Sequence, residues 1–241
     1  MKILFIVLLS IAPIAFWFWF YLRKRYIPSR WLLFSFISGM GLFVLLSGLE
    51  NKIIPEIFPS FSSYFLKFRQ TPAFNAPLSL FLFSFFLIAP LEEIPKFLIL
   101  KKIISTGKQI NQIADGLQLG LCLGLGFALG ENILHLSLVG NYAGTNTVFF
   151  VFALRFFVST VAQICYSGAM GYYLALGRFR KIQRKFLWGR ALLVPIIIHG
   201  LFNLFIFSEN PAYSVITISL LSFLLYKWQK ERETFEIKIP G

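Results

Sequence analysis

The sequence predicts an all-α integral membrane protein, a polytopic bundle of transmembrane helices. Hydrophobic residues make up 57% of the 241 residues, charged residues only 14%, and the mean hydropathy is +0.74. Soluble domains carry about 25% charged residues, so this chain has too few charges to cover a water-soluble globule. The apolar residues are also collected in long runs separated by short basic stretches, which is typical of a multi-pass protein of the plasma (inner) membrane.

The apolar runs predict about seven spans, because a bilayer-crossing helix needs about 20 apolar residues. The runs cover residues 2–22, 31–49, 77–100, 114–139, 147–176, 191–207 and 212–228. The first run is not followed by the small-x-small site of a cleaved signal peptide, so we interpret it as a retained span. We treat residues 1–241 as a single transmembrane domain. Its motif-bearing core is expected at 77–207, with peripheral spans at 1–49 and 212–228.

The basic residues predict the orientation of these spans. Most of the 23 lysines and arginines follow spans 1, 3, 5 and 7. The positive-inside rule then places the N-terminus outside and the C-terminus in the cytoplasm. Residues 50–76 become the longest outer loop. The net charge of +13 does not indicate a nucleic-acid partner, because the charges lie in clusters between apolar runs and form no basic face.

Ionisable residues inside the spans are the first functional candidates. Each such charge costs about 2.5–3.5 kcal/mol on insertion scales, so a membrane protein rarely keeps one without a use. Span 3 contains Glu92, Glu93 and Lys96 between Pro90 and Pro95. On a helix Lys96 can pair with either carboxylate, and the prolines loosen the surrounding backbone. Neighbouring carboxylates suit one of the pair to general acid–base catalysis, whereas the structural alternative is a charge-neutralising cluster.

The following spans carry further polar residues at helical spacing. Glycines 116, 120 and 124 form a small-xxx-small stripe that predicts close helix packing in span 4. Packing does not account for the polar side chains that remain. These are Asp115, Glu131 and Asn132 in span 4, Arg155 and Gln163 in span 5, and His199 and Asn203 on one face of span 6.

This ordered set resembles the PrsW family of intramembrane proteases, which belongs to one superfamily with the CAAX prenyl endopeptidases and the Aph subunit of γ-secretase. The pattern is E-E-x-x-K, then D-G with G-x-G-F-x-x-x-E-N, then an arginine and a glycine, then H-x-x-x-N. The matching residues are Glu92, Glu93, Lys96, Asp115, Gly116, Gly124, Gly126, Phe127, Glu131, Asn132, Arg155, Gly171, His199 and Asn203. One position departs from the pattern, because Gln163 stands where the family carries a histidine.

The resemblance implies hydrolysis of a peptide bond by a water that a glutamate of span 3 activates. We predict Glu92 in this role, with Glu93 tuning it and Lys96 neutralising the pair. Glu131 and His199 complete the polar centre, within about a hydrogen bond or one bridging water of the glutamates. The supporting residues are Asn132, Asn203, Gln163, Asp115 and Arg155.

The cofactor and the substrate are open at this stage. Zinc is possible, with Glu92, Glu131 and His199 as candidate ligands, since catalytic zinc sites commonly have three protein ligands. With glutamine at 163 the remaining set is so acidic that we favour a metal-independent, glutamate-based mechanism. The implied partners are membrane lipid and a single-span membrane protein, such as an anti-sigma factor. The alternatives are an impaired pseudoprotease that binds membrane segments and a transporter-like protein, although the chain shows no internal repeat.

Overall fold

The computed structural model describes residues 2–21, 27–57, 81–142 and 144–207. Throughout these ranges the ordered elements are helices, and no strand occurs in them, which confirms the predicted all-α class. In chain order the α-helices are α1 (Lys2–Tyr21), α2 (Ser29–Ile57), α3 (Ala89–Thr106), α4 (Ile113–Tyr142), α5 (Thr145–Leu154), α6 (Thr160–Phe179) and α7 (Arg184–Phe207).

Four helical stretches are long and apolar enough to cross a membrane. They are Ser29–Leu49, Ile113–Asn141, Thr145–Phe179 and Lys181–Leu204. The first predicted span is a shorter apolar helix, Leu4–Phe20. The third corresponds to α3, whose five charged residues lower its hydropathy, and the seventh, 212–228, lies outside the described residues. The protein therefore has several apolar membrane-spanning helices, while the count of seven and the orientation stay predictions.

Two predicted loops are partly helical, which corrects the bounds taken from the apolar runs. Helix α2 continues to Ile57, into the predicted outer loop 50–76. Helix α7 begins at Arg184, well before the predicted run at residue 191. Apolar runs mark only the part of a helix that contacts lipid or the core. Lysine, arginine and glutamate are good helix formers, so the helices extend past that part.

Helix α4 is the centre of the bundle, and most of its length is buried. Its glycine stripe lies against α6 with almost no side chain between the two backbones. A Cβ atom on Gly120 would collide with the carbonyl of Ser167, and one on Gly124 would collide with the carbonyl of Gln163. On another side of α4, Ser35 of α2 donates a hydrogen bond to the Leu119 carbonyl at 2.7 Å. The stripe thus sets the register that brings Gln163 to the middle of the bundle.

Two π-helical segments interrupt the spans beside the polar residues. Residues Phe83–Ile88 are π-helical and lead directly into Pro90, with the Ala89 N–H bonded to the Ser84 carbonyl. This is the backbone distortion that the prolines predict, since Pro90 has no N–H to give to an α-helical ladder. The second segment, Arg155–Ser159, joins α5 to α6. There the Phe156 carbonyl accepts a hydrogen bond from Trp17 of α1 at 2.9 Å.

The basic stretches after spans 1, 3 and 5 meet at one end of the bundle. Arg178, in the last turn of α6, donates a hydrogen bond to the Ile104 carbonyl of α3. The Lys101 ammonium of α3 lies 5.0 Å from the ring of Trp188 in α7. Arg30 of α2 and Lys108 line one cavity. We call this end, where Arg30, Lys108 and Arg178 lie, the basic end. That it faces the cytoplasm stays a prediction.

Candidate active site

A buried lysine organises the polar residues of α3. The Lys96 Nζ atom lies 2.8 Å from Glu93 Oε1, 3.5 Å from Glu92 Oε2 and 2.8 Å from Gln163 Oε1 of α6. It also lies 3.7 Å from the ring centroid of Phe127 in α4. The lysine side chain is fully buried, so its charge is balanced entirely by these neighbours. The predicted pairing of Lys96 with the two glutamates is therefore present.

His199 of α7 joins this cluster through Glu93. Its Nδ1 atom lies 2.9 Å from Glu93 Oε1. Because an ionised carboxylate only accepts hydrogen bonds, Nδ1 carries the proton and donates it to Glu93. That leaves the lone pair of Nε2 for a water, a substrate or a metal ion. The imidazole is stacked on the ring of Tyr166, with centroids 4.7 Å apart, so its orientation is held from two sides.

The two glutamates lie in different environments. Glu93 is completely buried and its Oε1 atom is held by both Lys96 and His199. Glu92 is 9% exposed, and its charged contact with Lys96 is longer, at 3.5 Å. Glu93 is thus fixed as a structural centre of the cluster, whereas Glu92 is the carboxylate that a water or a substrate can reach.

Glu131 belongs to a neighbouring cluster. Its Oε2 atom lies 3.5 Å from the Arg155 guanidinium. Arg155 Nε donates a hydrogen bond of 2.5 Å to Asn132 Oδ1, and Asn132 Nδ2 lies 3.2 Å from the hydroxyl of Thr160. Glu131 is close enough to interact electrostatically with Glu92, Lys96 and His199 of the first cluster. The structure thus pairs Glu131 with Arg155, and no described hydrogen bond joins it to His199.

Asp115 and Asn203, the remaining predicted residues, differ in position. Asp115 accepts hydrogen bonds from the backbone N–H groups of Asn111 and Gln112 at 2.8 and 3.1 Å, so it closes the turn that starts α4. It lies 16 residues before Glu131 on α4, about 24 Å at 1.5 Å per residue. Asn203 is buried one turn beyond His199, and its Nδ2 atom has no hydrogen-bond partner among the described residues.

The cluster lies far from the basic end. The distance can be counted in residues from the end of each helix at the basic end. That end is Thr106 for Glu92 in α3, Phe179 for Gln163 in α6, and Arg184 for His199 in α7. At 1.5 Å per residue these separations are all about 20–24 Å. A hydrocarbon core is about 30 Å thick. Measured from the basic end, the cluster therefore lies beyond the middle of such a core and nearer to its opposite face.

The arrangement also suits a divalent metal ion. Ligand atoms of Glu92, Glu93 and His199 lie within 4.8 Å of one another, and all three residues are buried. Glu93 Oε2 is buried without a hydrogen-bond partner among the described residues, so it is free to act as a ligand. One His and two Glu supply the three protein ligands that a catalytic zinc site needs, with one more acid than in the set of two His and one Glu. The zinc ligands predicted from the sequence were Glu92, Glu131 and His199, whereas the structure groups Glu93 with Glu92 and His199.

Sequence reasoning assigned no role to two residues that contact the cluster directly. Tyr166 is completely buried, stacks on His199, and has a hydroxyl without a partner in the described part of the chain. Phe127 covers the Lys96 ammonium. The spacing of Tyr166, three residues after Gln163, places both on one face of α6 and could have identified it.

A buried pair of glutamates, a lysine and a histidine inside a helical membrane bundle is the arrangement expected of an intramembrane hydrolase. The chain belongs within this class to the PrsW family of intramembrane metalloproteases, whose family model matches residues 27–228. The protein is therefore an intramembrane peptidase.

Curated relatives agree with this assignment. Protease PrsW of Oceanobacillus iheyensis is 28% identical over 221 residues, which cover 91% of this chain and 89% of that protein. Protease PrsW of Clostridioides difficile is 28% identical over 235 residues, 95% of this chain and 89% of that protein. Protease PrsW of Bacillus subtilis is 28% identical over 224 residues, 91% of this chain and 88% of that protein. No solved structure matches the chain significantly.

Proposed function

We propose that this protein cleaves a single-span membrane protein, for example an anti-sigma factor, with a water molecule that Glu92 activates. The proposal is based on the different contacts that Glu92 and Glu93 make with neighbouring side chains. Lys96 and His199 hold Glu93, while Glu92 keeps one contact of 3.5 Å and partial exposure. A general base must reach the proton it abstracts, and only Glu92 of this pair is accessible enough to do so.

Each side chain of the cluster then has a separate role in hydrolysis. Glu92 accepts a proton from the attacking water and returns it to the leaving nitrogen. Lys96 balances the charge of the neighbouring carboxylates and fixes their positions, because its ammonium is buried among them. His199, oriented by its Nδ1 hydrogen bond to Glu93, presents Nε2 towards the reacting groups.

A donor is also needed for the negative oxygen that develops on the scissile carbonyl. Asn203 Nδ2 and the Tyr166 hydroxyl are buried donors without partners in the described chain. Asn203 is one helical turn from His199, about 5–6 Å between Cβ atoms. We assign the oxyanion contact to Asn203, and Tyr166 to the support of the imidazole. Asn132 bonds to Arg155 and Thr160, so its amide is already occupied.

Glu93 and His199, together with one oxygen of Glu92, would hold the metal ion that the family description implies. When bound, such an ion would polarise the carbonyl and make a bound water more acidic. The family description and the proximity of the three ligand groups favour metal-assisted hydrolysis over the metal-independent mechanism expected from the sequence.

Cleavage by the purified full-length protein tests this function. The protein and a tagged single-span substrate are placed in lipid nanodiscs, and the products are mapped by mass spectrometry. We expect a cut near the end of the substrate span that lies opposite the basic end. Treatment with 1,10-phenanthroline should abolish cleavage, and added zinc should restore it with about one ion bound per chain. Full activity without bound metal would contradict the metal-assisted step while leaving peptidase activity intact.

Gln163 provides a further test, because its structural role is now defined. Its Oε1 atom accepts a hydrogen bond from Lys96, a role that either nitrogen of a neutral histidine could also fill. We expect Gln163→Ala to lower kcat about tenfold, since Lys96 loses a buried partner. Gln163→His should stay within about threefold of the wild type. A gain of about 100-fold or more in Gln163→His would instead identify a missing general base or metal ligand.

A further inference from the structure

A cavity between α2 and α3 at the basic end lies outside the site described above. Its volume is about 820 Å³, which is within the range of about 300–1,000 Å³ typical of ligand pockets. Trp31 and Phe34, one turn apart on α2, form one wall. Ile99 and Ile103, one turn apart on α3, form the opposite wall. The interior of the cavity is therefore apolar and aromatic.

The rim of this cavity is positively charged. Arg30 at the start of α2, Lys102 near the end of α3 and Lys108 after α3 all line it. None of the three forms a salt bridge within the described part of the chain. Asp115, the acid nearest in sequence to Lys108, already accepts hydrogen bonds at the start of α4. Three cations without a countercharge among the described residues favour an anionic ligand.

The shape of the cavity indicates that this anion carries hydrocarbon. Phe34 is 51% exposed, so the apolar wall continues onto the outer, lipid-facing surface of α2. Charge at the helix ends and apolar walls further along is the order of groups in a phospholipid at the membrane interface.

We propose that this cleft binds an anionic phospholipid. Its phosphate lies among Arg30, Lys102 and Lys108, and an acyl chain follows Trp31 and Phe34 along the outside of α2. The position agrees with the predicted orientation, since basic pockets between transmembrane helices on the cytoplasmic side bind acidic headgroups. The bound lipid braces α3, the helix that carries Glu92. The proposal does not depend on the catalytic mechanism.

Native mass spectrometry of the full-length protein in detergent tests the proposal directly. Dioleoylphosphatidylglycerol and dioleoylphosphatidylcholine are titrated separately, and the lipid retained per chain is measured. We expect clear preference for the phosphatidylglycerol. In Lys102→Gln/Lys108→Gln its affinity should fall about 25-fold, since each basic residue near an anionic headgroup contributes about fivefold. The matched control, Lys181→Gln/Lys185→Gln, removes two exposed charges from the same end and should change the affinity less than twofold.

Three results would overturn this assignment. Equal retention of the two lipids by the wild type would show that the cleft does not recognise a negative headgroup, and this comparison needs no variant to fold. Equal losses in the two double variants would indicate only general surface charge. Displacement of the phosphatidylglycerol by millimolar glycerol 3-phosphate would identify a site for free phosphate esters rather than for a membrane lipid.

Discussion

Glu92→Gln should reduce kcat by a factor of about 10²–10⁴, the usual contribution of a general acid–base residue, while the protein keeps its fold. Glutamine preserves the size of the side chain but cannot take a proton from water. Glu92 has partial exposure and one charged contact at 3.5 Å, so the loss of its charge disturbs the packing little. The measurement is single-turnover cleavage of the single-span substrate, together with the thermal midpoint of each protein in the same nanodiscs.

Glu93→Gln is the internal control for this prediction, because it removes the same charge from the adjacent residue. Glu93 is completely buried and holds both Lys96 and His199. Removing one partner of a buried ion pair costs about 3–5 kcal/mol, so this variant should lose stability as well as activity. Activity above a tenth of the wild type in Glu92→Gln would contradict its role as base. Equal loss of stability in both variants would contradict the difference between the two environments.

The residues of the cluster could be predicted from the sequence because charged residues in apolar runs are few and costly. Glu92, Glu93 and Lys96 lie within one turn of a single helix, so their pairing follows from helical spacing alone. His199 is 106 residues from Glu93. Its place beside the glutamates was expected from the family resemblance and from the cost of polar groups in lipid, since no local rule determines which face of one helix meets another.

The partner of Glu131 likewise depends on which helix faces meet, and local sequence rules do not determine this. Its carboxylate and His199 are both polar groups in spans, which predicts that they converge rather than face lipid. The register between α4 and the helix that begins after the π-helical segment Arg155–Ser159 also brings Arg155 to Glu131, a pairing that the sequence did not predict. A π-helical segment adds a residue to one turn and rotates the side chains before it, and an apolar pattern contains no sign of that rotation.

Lys96→Met should be strongly destabilising. Methionine fills a similar volume without charge, so Glu93 Oε1 and Gln163 Oε1 lose a buried donor while Glu92 loses its cation. Uncompensated buried charge costs about 3–5 kcal/mol. The thermal midpoint should be measured after chelation, because an ion held by the two glutamates would replace the missing charge. Lys101→Met is the matched control, since Lys101 is less buried on the same helix and contacts aromatic rings only.

A second substitution separates lost charge balance from lost packing. If Lys96→Met acts through the stranded carboxylate, then adding Glu93→Gln removes that charge and should restore part of the stability. The double variant should then be more stable than the sum of the two single effects by about 1–3 kcal/mol, the coupling expected for residues in one buried network. Additive effects would show that the lysine acts as a space-filling side chain beneath Phe127. Activity should stay lost in either case, because the double variant no longer orients His199 through a charged Glu93.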